Sequence, residues 1–360
     1  MSDILNKRLS SKLLVLLSLV FFSLSNQAFS AGPYIAVDVK SGRVVQHSQA
    51  FQKWYPASLT KLMTAYVVFR EIKARRLSFD SMVTMSQYAA SKPASKMYFK
   101  PGTEFTIDSG LKYLLVKSAN DVAVAIGERV AGSEAKFVAM MNREAKRLGM
   151  NNTRFVNPNG LPGNGQYTNA YDMAVLGVAL KKEFPKYKGY FSLGGVSTGK
   201  RTYPNYNLLL GRFSGADGMK TGYICASGFN LVSSATRGGK SIVAVVLGAK
   251  SQEERAGLAA NLLQAGFSGK RSGGKLANMR PYGQNRNQLA NIRNQICTKE
   301  ARAARLDGRD LEVKIREASP YIKALRGTPK ISSAPYSNPK PPTKLSNLKN
   351  IPIPAPTLKR

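Results

Sequence analysis

Ser58-Leu59-Thr60-Lys61 sets a hydroxyl and an amine three residues apart, a spacing that puts both side chains on one face of a helix. The pair offers a nucleophile with its own base. A serine hydroxyl attacks a carbonyl poorly until a neighbouring base draws off its proton. Histidine is the usual base, and His47 is the only histidine in 360 residues. It falls in Arg43-Val44-Val45-Gln46-His47, an alternating segment that reads as a strand with an exposed histidine. A serine hydrolase built from this chain must therefore use lysine. The pattern is weak by itself, since Ser-x-x-Lys recurs at Ser109, Ser133, Ser197 and Ser272. Two further polar arms follow it in order, Ser118-Ala119-Asn120 and Lys220-Thr221-Gly222. The first arm also reads as ordinary helix capping, because Ser, Asn and the following Asp121 are capping residues. With two distant cysteines, Cys225 and Cys297, and one histidine, no zinc-type cluster can be assembled and no cofactor is expected.

Positioning these arms falls to the surrounding elements. Tyr34 to Val39 and Val44 to Ser48 read as two strands joined through Lys40-Ser41-Gly42-Arg43. Leu59, Leu62, Met63, Tyr66, Phe69 and Ile72 have helical spacing, so Ser58 falls at a helix start. Asp108 reads as the cap of a short helix ending near Lys117, and Ser118 to Asn120 falls in the turn before the next helix, Val122 to Val130. Ser133 caps a helix ending at Gly149, and Thr168 or Asn169 starts one through Ala179. Strands follow at Leu208–Leu210, Met219–Cys225, Phe229–Ser234 and Ile242–Leu247, then a helix over Glu253–Phe267. Strands at both ends with helices between predict an α+β domain, an antiparallel sheet covered by helices with a helical subdomain.

The first thirty residues carry Lys7, Arg8 and Lys12, an apolar run from Leu13 to Leu24, then Ala28-Phe29-Ser30. That is the layout of a secretory signal cleaved before Ala31, so residues 31–267 are expected to be an exported domain, periplasmic or envelope-associated. The apolar run falls short of the roughly 20 residues a span requires. Two cysteines are too few for a disulfide framework. Residues 267–360 carry +15 of the net +34. Such charge attracts polyanions, and export turns the expectation from nucleic acid to anionic envelope polymers. Past Phe267 the apolar periodicity collapses into Gly, Asn, Gln and Arg, predicting a poorly ordered basic, Pro-rich tail over 268–360 with at most one basic helix at 300–325. Pro352, Pro354 and Pro356 exclude a terminal anchor helix.

Taken together, Ser58-x-x-Lys61, Ser118-x-Asn120 and Lys220-Thr221-Gly222 resemble the three signatures of the penicillin-binding and serine β-lactamase superfamily. Pro56-Ala57-Ser58-Leu59-Thr60-Lys61-Leu62-Met63-Thr64, Asn157-Pro158-Asn159-Gly160-Leu161, Asp217 to Gly222 and Ser227 to Val232 look like the low-molecular-mass D-alanyl-D-alanine carboxypeptidases of peptidase family S11. The resemblance covers about residues 31–267. It implies the transpeptidase fold, peptidoglycan stem peptides as substrate and β-lactams as covalent inhibitors. It further implies Ser58 as nucleophile, Lys61 as base and Ser118 as proton carrier to the departing D-alanine. Asn120 would hold the substrate amide, Lys220, Thr221 and Arg255 its carboxylate, and Gly222 would admit a substrate along the strand edge. The oxyanion would rest on the Ser58 and Tyr223 N–H groups. Arg255 also reads as a solvated helix arginine. Ala119 replaces a usual glycine, Ile224-Cys225 stands where threonine often follows, and the family's β-rich second domain and anchor have no counterpart in the tail.

A D,D-endopeptidase cutting crosslinks uses the same arms, and a non-catalytic wall-binding protein would use the tail alone. A class A β-lactamase needs a glutamate-held water to deacylate. Glu128, Glu134, Glu144 and Glu183 lack the asparagine three residues on that would support this, so a stable penicilloyl adduct is expected.

Overall fold

Ile35, Ala36 and Val37 are all fully buried, which an alternating surface strand would not allow. The strand β1 (Tyr34–Asp38) is an interior strand of a five-stranded antiparallel sheet covered on both sides and must be apolar on both faces. The order is β2-β1-β9-β8-β7, with β2 at Val44–Ser48, β7 at Ala216–Ile224, β8 at Gly228–Arg237 and β9 at Lys240–Ala249; the short strands β3 (Met82–Thr84), β4 (Glu104–Thr106), β5 (Gly195–Ser197) and β6 (Thr202–Pro204) lie outside this sheet. The computed structural model describes residues 32–269, 273–327 and 329–339. The leader read over residues 1–30 and the prolines at 352, 354 and 356 lie outside the described residues.

One sheet face packs under a helical block and the other under a single long helix, giving two apolar cores. The α+β expectation holds. At the centre of the block is α1 (Thr60–Lys73), whose residues Thr60 to Phe69 are buried without a break. A helix apolar all round belongs inside a domain, and here other helices enclose it. Next to it lie α2 (Ile107–Lys112), α3 (Asn120–Ala131), α4 (Glu134–Arg147) and α5 (Ala170–Glu183). Ser133 and Asn169 cap α4 and α5 with their side chains, as the sequence predicts. The last helix of the domain, α6 (Gln252–Phe267), covers the opposite face.

Three local readings are corrected. Thr106, not Asp108, caps α2, accepting from Ser109 N at 3.2 Å. Asp108 stands inside the first turn, held by Lys112 at 2.6 Å and by the Tyr190 hydroxyl at 2.6 Å. Leu208–Leu210 forms no strand; the segment is a turn whose Leu209 and Leu210 still reach the core, so apolar composition there reflects burial without pairing. His47 is half-buried, because Tyr282 from beyond residue 267 covers it and its hydroxyl lies 2.7 Å from the ring Nδ1.

The larger difference concerns the tail. Residues 273–327 and 329–339 pack on the domain, through Leu276, Ile296, Ile315, Ile322 and Ala334, all buried. The short strand β10 (Ile331–Ser333) pairs in parallel with Gly195–Ser197. The basic helix read at 300–325 is two, α7 (Lys299–Arg305) and α8 (Leu311–Glu317), broken at Gly308 and restarted by the Asp310 cap. Cys225 and Cys297 form a disulfide across 72 residues. Isolated apolar anchors without a period carry no signal of order; each is legible only beside the socket that receives it. Among the described residues, no helix is long and apolar enough to cross a membrane.

Ile315 of α8 is fully buried in the second core. Ile315→Ala is expected to cost about 2–4 kcal/mol of unfolding free energy, read by urea denaturation. A loosely attached tail would leave the midpoint where it was.

Candidate active site

Ser58 rides on a 3-10 turn, Ala57–Leu59, that leads into α1, and Lys61 occupies the first turn of that helix. Lys61 Nζ lies 3.0 Å from Ser58 Oγ. It also meets Asn120 Oδ1 at 2.7 Å and the Asn159 carbonyl at 2.5 Å, so in a place with no solvent access two acceptors take the N–H groups of a neutral amine and its lone pair is left to the Ser58 hydroxyl. The Asn159 carbonyl is held from both sides. Thr64 Oγ1, one turn along α1, donates to the Pro158 carbonyl at 2.6 Å, and Asn157 Oδ1 accepts from Gly160 N at 2.8 Å. Gly160 has φ +82°, and a Cβ there would stand 1.9 Å from the Ala57 carbonyl oxygen. Only glycine lets this loop pass under the turn that carries Ser58.

The second arm joins the helical side. Ser118 has left-handed φ and ψ (63° and 36°), after which Asn120 opens α3. The capping alternative does not describe them, since α3 begins with no side-chain cap. Asn120 instead turns inward, donating from Nδ2 to the Pro93 carbonyl at 2.9 Å while Oδ1 meets Lys61. Asp121 takes over the local backbone work, accepting from Met97, Tyr98 and Val122 N–H groups while wholly buried.

The third arm lies on β7, an edge strand whose partner on one side is β8. Its other edge passes over Ser58. A Cβ on Gly222 would fall 3.1 Å from Ser58 N and 3.1 Å from the Pro56 carbonyl oxygen, closer than a side chain sits comfortably. Lys220 is buried, with Nζ 3.0 Å from the Thr221 carbonyl. Arg255 is buried as well, which removes its solvated reading: Nη2 donates to the Tyr206 carbonyl at 3.1 Å and Nε has no partner among the described residues. The three arms line one cleft of about 380 Å³, with Ser58, Ser118 and Asn120 facing Thr221, Gly222, Tyr223 and Arg255. His47 is not among its walls.

Burial sets the electrostatics. It pushes the Lys61 amine well below its ordinary range, and Lys220 pushes the same way against a smaller opposing pull from Asp121. Lys220 itself is pushed down to about 7 by burial and by the Arg255 charge, and Arg255 down to about 10 by burial. A neutral amine beside a hydroxyl, opposite a cationic wall, can take a proton from Ser58 and receive an anion alongside.

The reading of the sequence missed Asn159 as the third partner of Lys61, and Asp121. The Asn157-Pro158-Asn159-Gly160 turn chemistry was a usable signal for the first. Nothing in the sequence marks Asp121 off from a capping residue. Tyr206, Phe229 and Gln252 also line the cleft, and no spacing rule points to them.

The depressed lysines have a signed consequence. Folded Lys220 titrates near 7 and the unfolded side chain at its ordinary 10.5, so between these values the unfolded chain binds more protons. Stability must then rise with pH across that window and be lost again as pH falls toward 7. Lys220→Met is expected to flatten the rise, measured as urea midpoints from pH ~7 to ~10, whereas an unchanged slope would contradict the assigned burial.

Residues 21–251 match the peptidase S11 family, D-alanyl-D-alanine carboxypeptidase. The chain is 39% identical over 244 residues to D-alanyl-D-alanine carboxypeptidase DacC of Escherichia coli (strain K12), covering 66% of this chain and 61% of that protein. It is 38% identical to D-alanyl-D-alanine carboxypeptidase DacD of Salmonella typhimurium, over 69% of this chain and 65% of that one. It thus spans less than two thirds of the length of these two relatives. Among solved structures, D-alanyl-D-alanine carboxypeptidase DacD from Francisella tularensis superimposes with a TM-score of 0.65 at 34% identity, covering 68% of this chain and 72% of that one. Penicillin-Binding Protein D2 from Listeria monocytogenes, in its ampicillin-bound form, does so at 0.59 and 31%, over 67% and 99%. Because the match takes in all three arms of the cleft and the sheet that carries them, the chain belongs to the S11 family of D-alanyl-D-alanine carboxypeptidases.

Proposed function

We propose that this chain is a serine-type D-alanyl-D-alanine carboxypeptidase that removes the terminal D-alanine from peptidoglycan stem peptides and binds β-lactams covalently. The observation that carries the reading is the contact of 3.0 Å between Ser58 Oγ and a lysine amine that is fully buried and depressed in pKa. Family membership supports the same reaction.

In this mechanism Ser58 Oγ attacks the carbonyl carbon of the penultimate D-alanine as its proton passes to Lys61 Nζ. The negative oxygen that forms is met by the backbone N–H groups of Ser58 and Tyr223, on the two strands of chain that Gly222 allows to approach. When the peptide C–N bond breaks, the leaving amine takes a proton through Ser118, and D-alanine departs. Water then cleaves the Ser58 ester with Lys61 again as base. Asn120 holds the substrate amide, and Lys220, Thr221 and Arg255 receive the terminal carboxylate. A substrate laid along the free edge of β7 gains strand-type hydrogen bonds in register with this wall.

Deacylation of a penicilloyl ester needs a water-directing group that the cleft does not offer. Glu134 is held by Tyr88 and Lys92, Glu144 by Arg70 and Arg147, and Glu183 by Tyr66, while Glu128 is absent from the cleft walls. The adduct should therefore persist. Export through the residue 1–30 leader and work in the periplasm belong to the same reading, as does electrostatic attachment of the basic C-terminal third to anionic envelope polymers.

Intact mass after benzylpenicillin treatment is expected to show one added penicilloyl group on the wild type and none on Ser58→Ala. Rapid return to the free mass would instead favour a β-lactamase. Lys61→Met should slow acylation by about 10²–10⁴-fold, and wild-type acylation should fall as pH drops and Lys61 gains a proton. Release of D-alanine from a pentapeptide, compared with cleavage of a crosslinked dimer, separates the carboxypeptidase from an endopeptidase.

A further inference from the structure

The strand β7 has a direction that matters for substrate. Lys220 and Thr221 lie at its middle and Tyr223 and Ile224 at its end, with Gly222 over Ser58 between them. A peptide with its carboxylate at Lys220 and Thr221 and its reacting carbonyl at Ser58 must send its earlier residues past Tyr223 and Ile224, at ~3.3 Å per residue along the strand. Those residues arrive at Cys225.

The C-terminal segment is fastened at that corner. The Cys225–Cys297 disulfide joins it to the residue after β7. Ile292 N donates to the Ala226 carbonyl at 3.0 Å, and Lys53 exchanges backbone hydrogen bonds with Arg286 and Ala290. Two contacts then reach the cleft lip. The Tyr223 hydroxyl lies 3.2 Å from Cys297 Sγ, and the Arg305 guanidinium sits 5.7 Å from the centroid of Phe229, whose ring packs on Tyr223 at 4.4 Å. Tyr223 and Phe229 both line the cleft, and Tyr223 is 41% exposed, leaving its ring available to a ligand.

We propose that residues 273–305, clamped by this disulfide, brace one wall of the cleft from behind, the Tyr223 and Phe229 rings, and so determine specificity for the peptide residues preceding the D-alanyl pair. Cys297 and Arg305 are positioning residues, fixing the Tyr223 and Phe229 rings against which those residues pack. The departure from the family pattern at Ile224-Cys225 then has a use: it supplies the anchor. The proposal rests on the carboxypeptidase reading.

The test compares wild type with C225S/C297S on two substrates, a stem pentapeptide ending in D-Ala-D-Ala and a short N-acyl-D-Ala-D-Ala lacking the earlier residues. For the variant, KM on the pentapeptide is expected to rise about tenfold with kcat little changed, while the short substrate keeps its kcat/KM within about twofold. Equal loss on both substrates, or no loss on either, overturns the wall. Should the double variant fail to fold, Arg305→Ala keeps the disulfide and is read on the same pair. A rise in KM of about two- to fivefold on the pentapeptide alone supports the proposal, and no difference between the substrates overturns it. D-alanine release from neither substrate by wild type sinks the carboxypeptidase reading itself, and the wall with it.

Discussion

A buried amine is costly to charge and costly to leave without partners, and Lys61 is where this protein meets both demands. Its nitrogen has no solvent access, yet a serine hydroxyl, an asparagine side chain and a backbone carbonyl surround it within hydrogen-bonding distance. Each partner comes from a different part of the chain. The hydroxyl belongs to the turn before α1, the side chain to the start of α3 and the carbonyl to the loop that ends at Gly160. Placing three such groups around one atom requires α1 to be central and enclosed, and it is buried over ten consecutive residues. The helical block is in this sense a housing for one nitrogen.

The same low-dielectric setting makes the opposite wall useful and expensive. Lys220 and Arg255 are buried on the sheet side, and each depresses its neighbour's affinity for protons. Such an arrangement lowers stability, and in the proposed reading the substrate's carboxylate would offset that cost. Functional groups often carry this kind of local cost, and the surrounding packing offsets it. The unpartnered Nε of Arg255 fits the pattern, since a buried donor without an acceptor is a place prepared for one. The sheet contributes in another way. By ending at β7, it leaves one strand edge open beside Ser58, and Gly222 lets that edge come close.

Beyond Phe267 the chain behaves differently from what its composition suggests. Residues rich in Gly, Asn, Gln and Arg have too little apolar surface to fold alone. They order here because a finished domain supplies the sockets: Leu276 and Ala334 reach one core, while Ile315 and Ile322 reach the second. The disulfide adds a covalent fix just past the end of β7.

The amino-acid sequence by itself determined the three arms, their order and the need for a lysine base, because one histidine leaves no other. It also determined the main helices and strands, since periodicity and capping are local properties that residues such as Ser133 and Asn169 display within a few positions. Tertiary structure alone decided what depends on distance in space. That Ser58-x-x-Lys61, rather than another Ser-x-x-Lys pattern of the chain, faces Ser118 and Thr221 follows from packing the Ala57–Leu59 turn against β7. That Asn159 offers a carbonyl, that Arg255 is buried and that Cys225 meets Cys297 across 72 residues follow from sheet order and burial. No local pattern encodes them, because a residue's charge, pKa and partners are set by neighbours that the chain supplies from far away along its length.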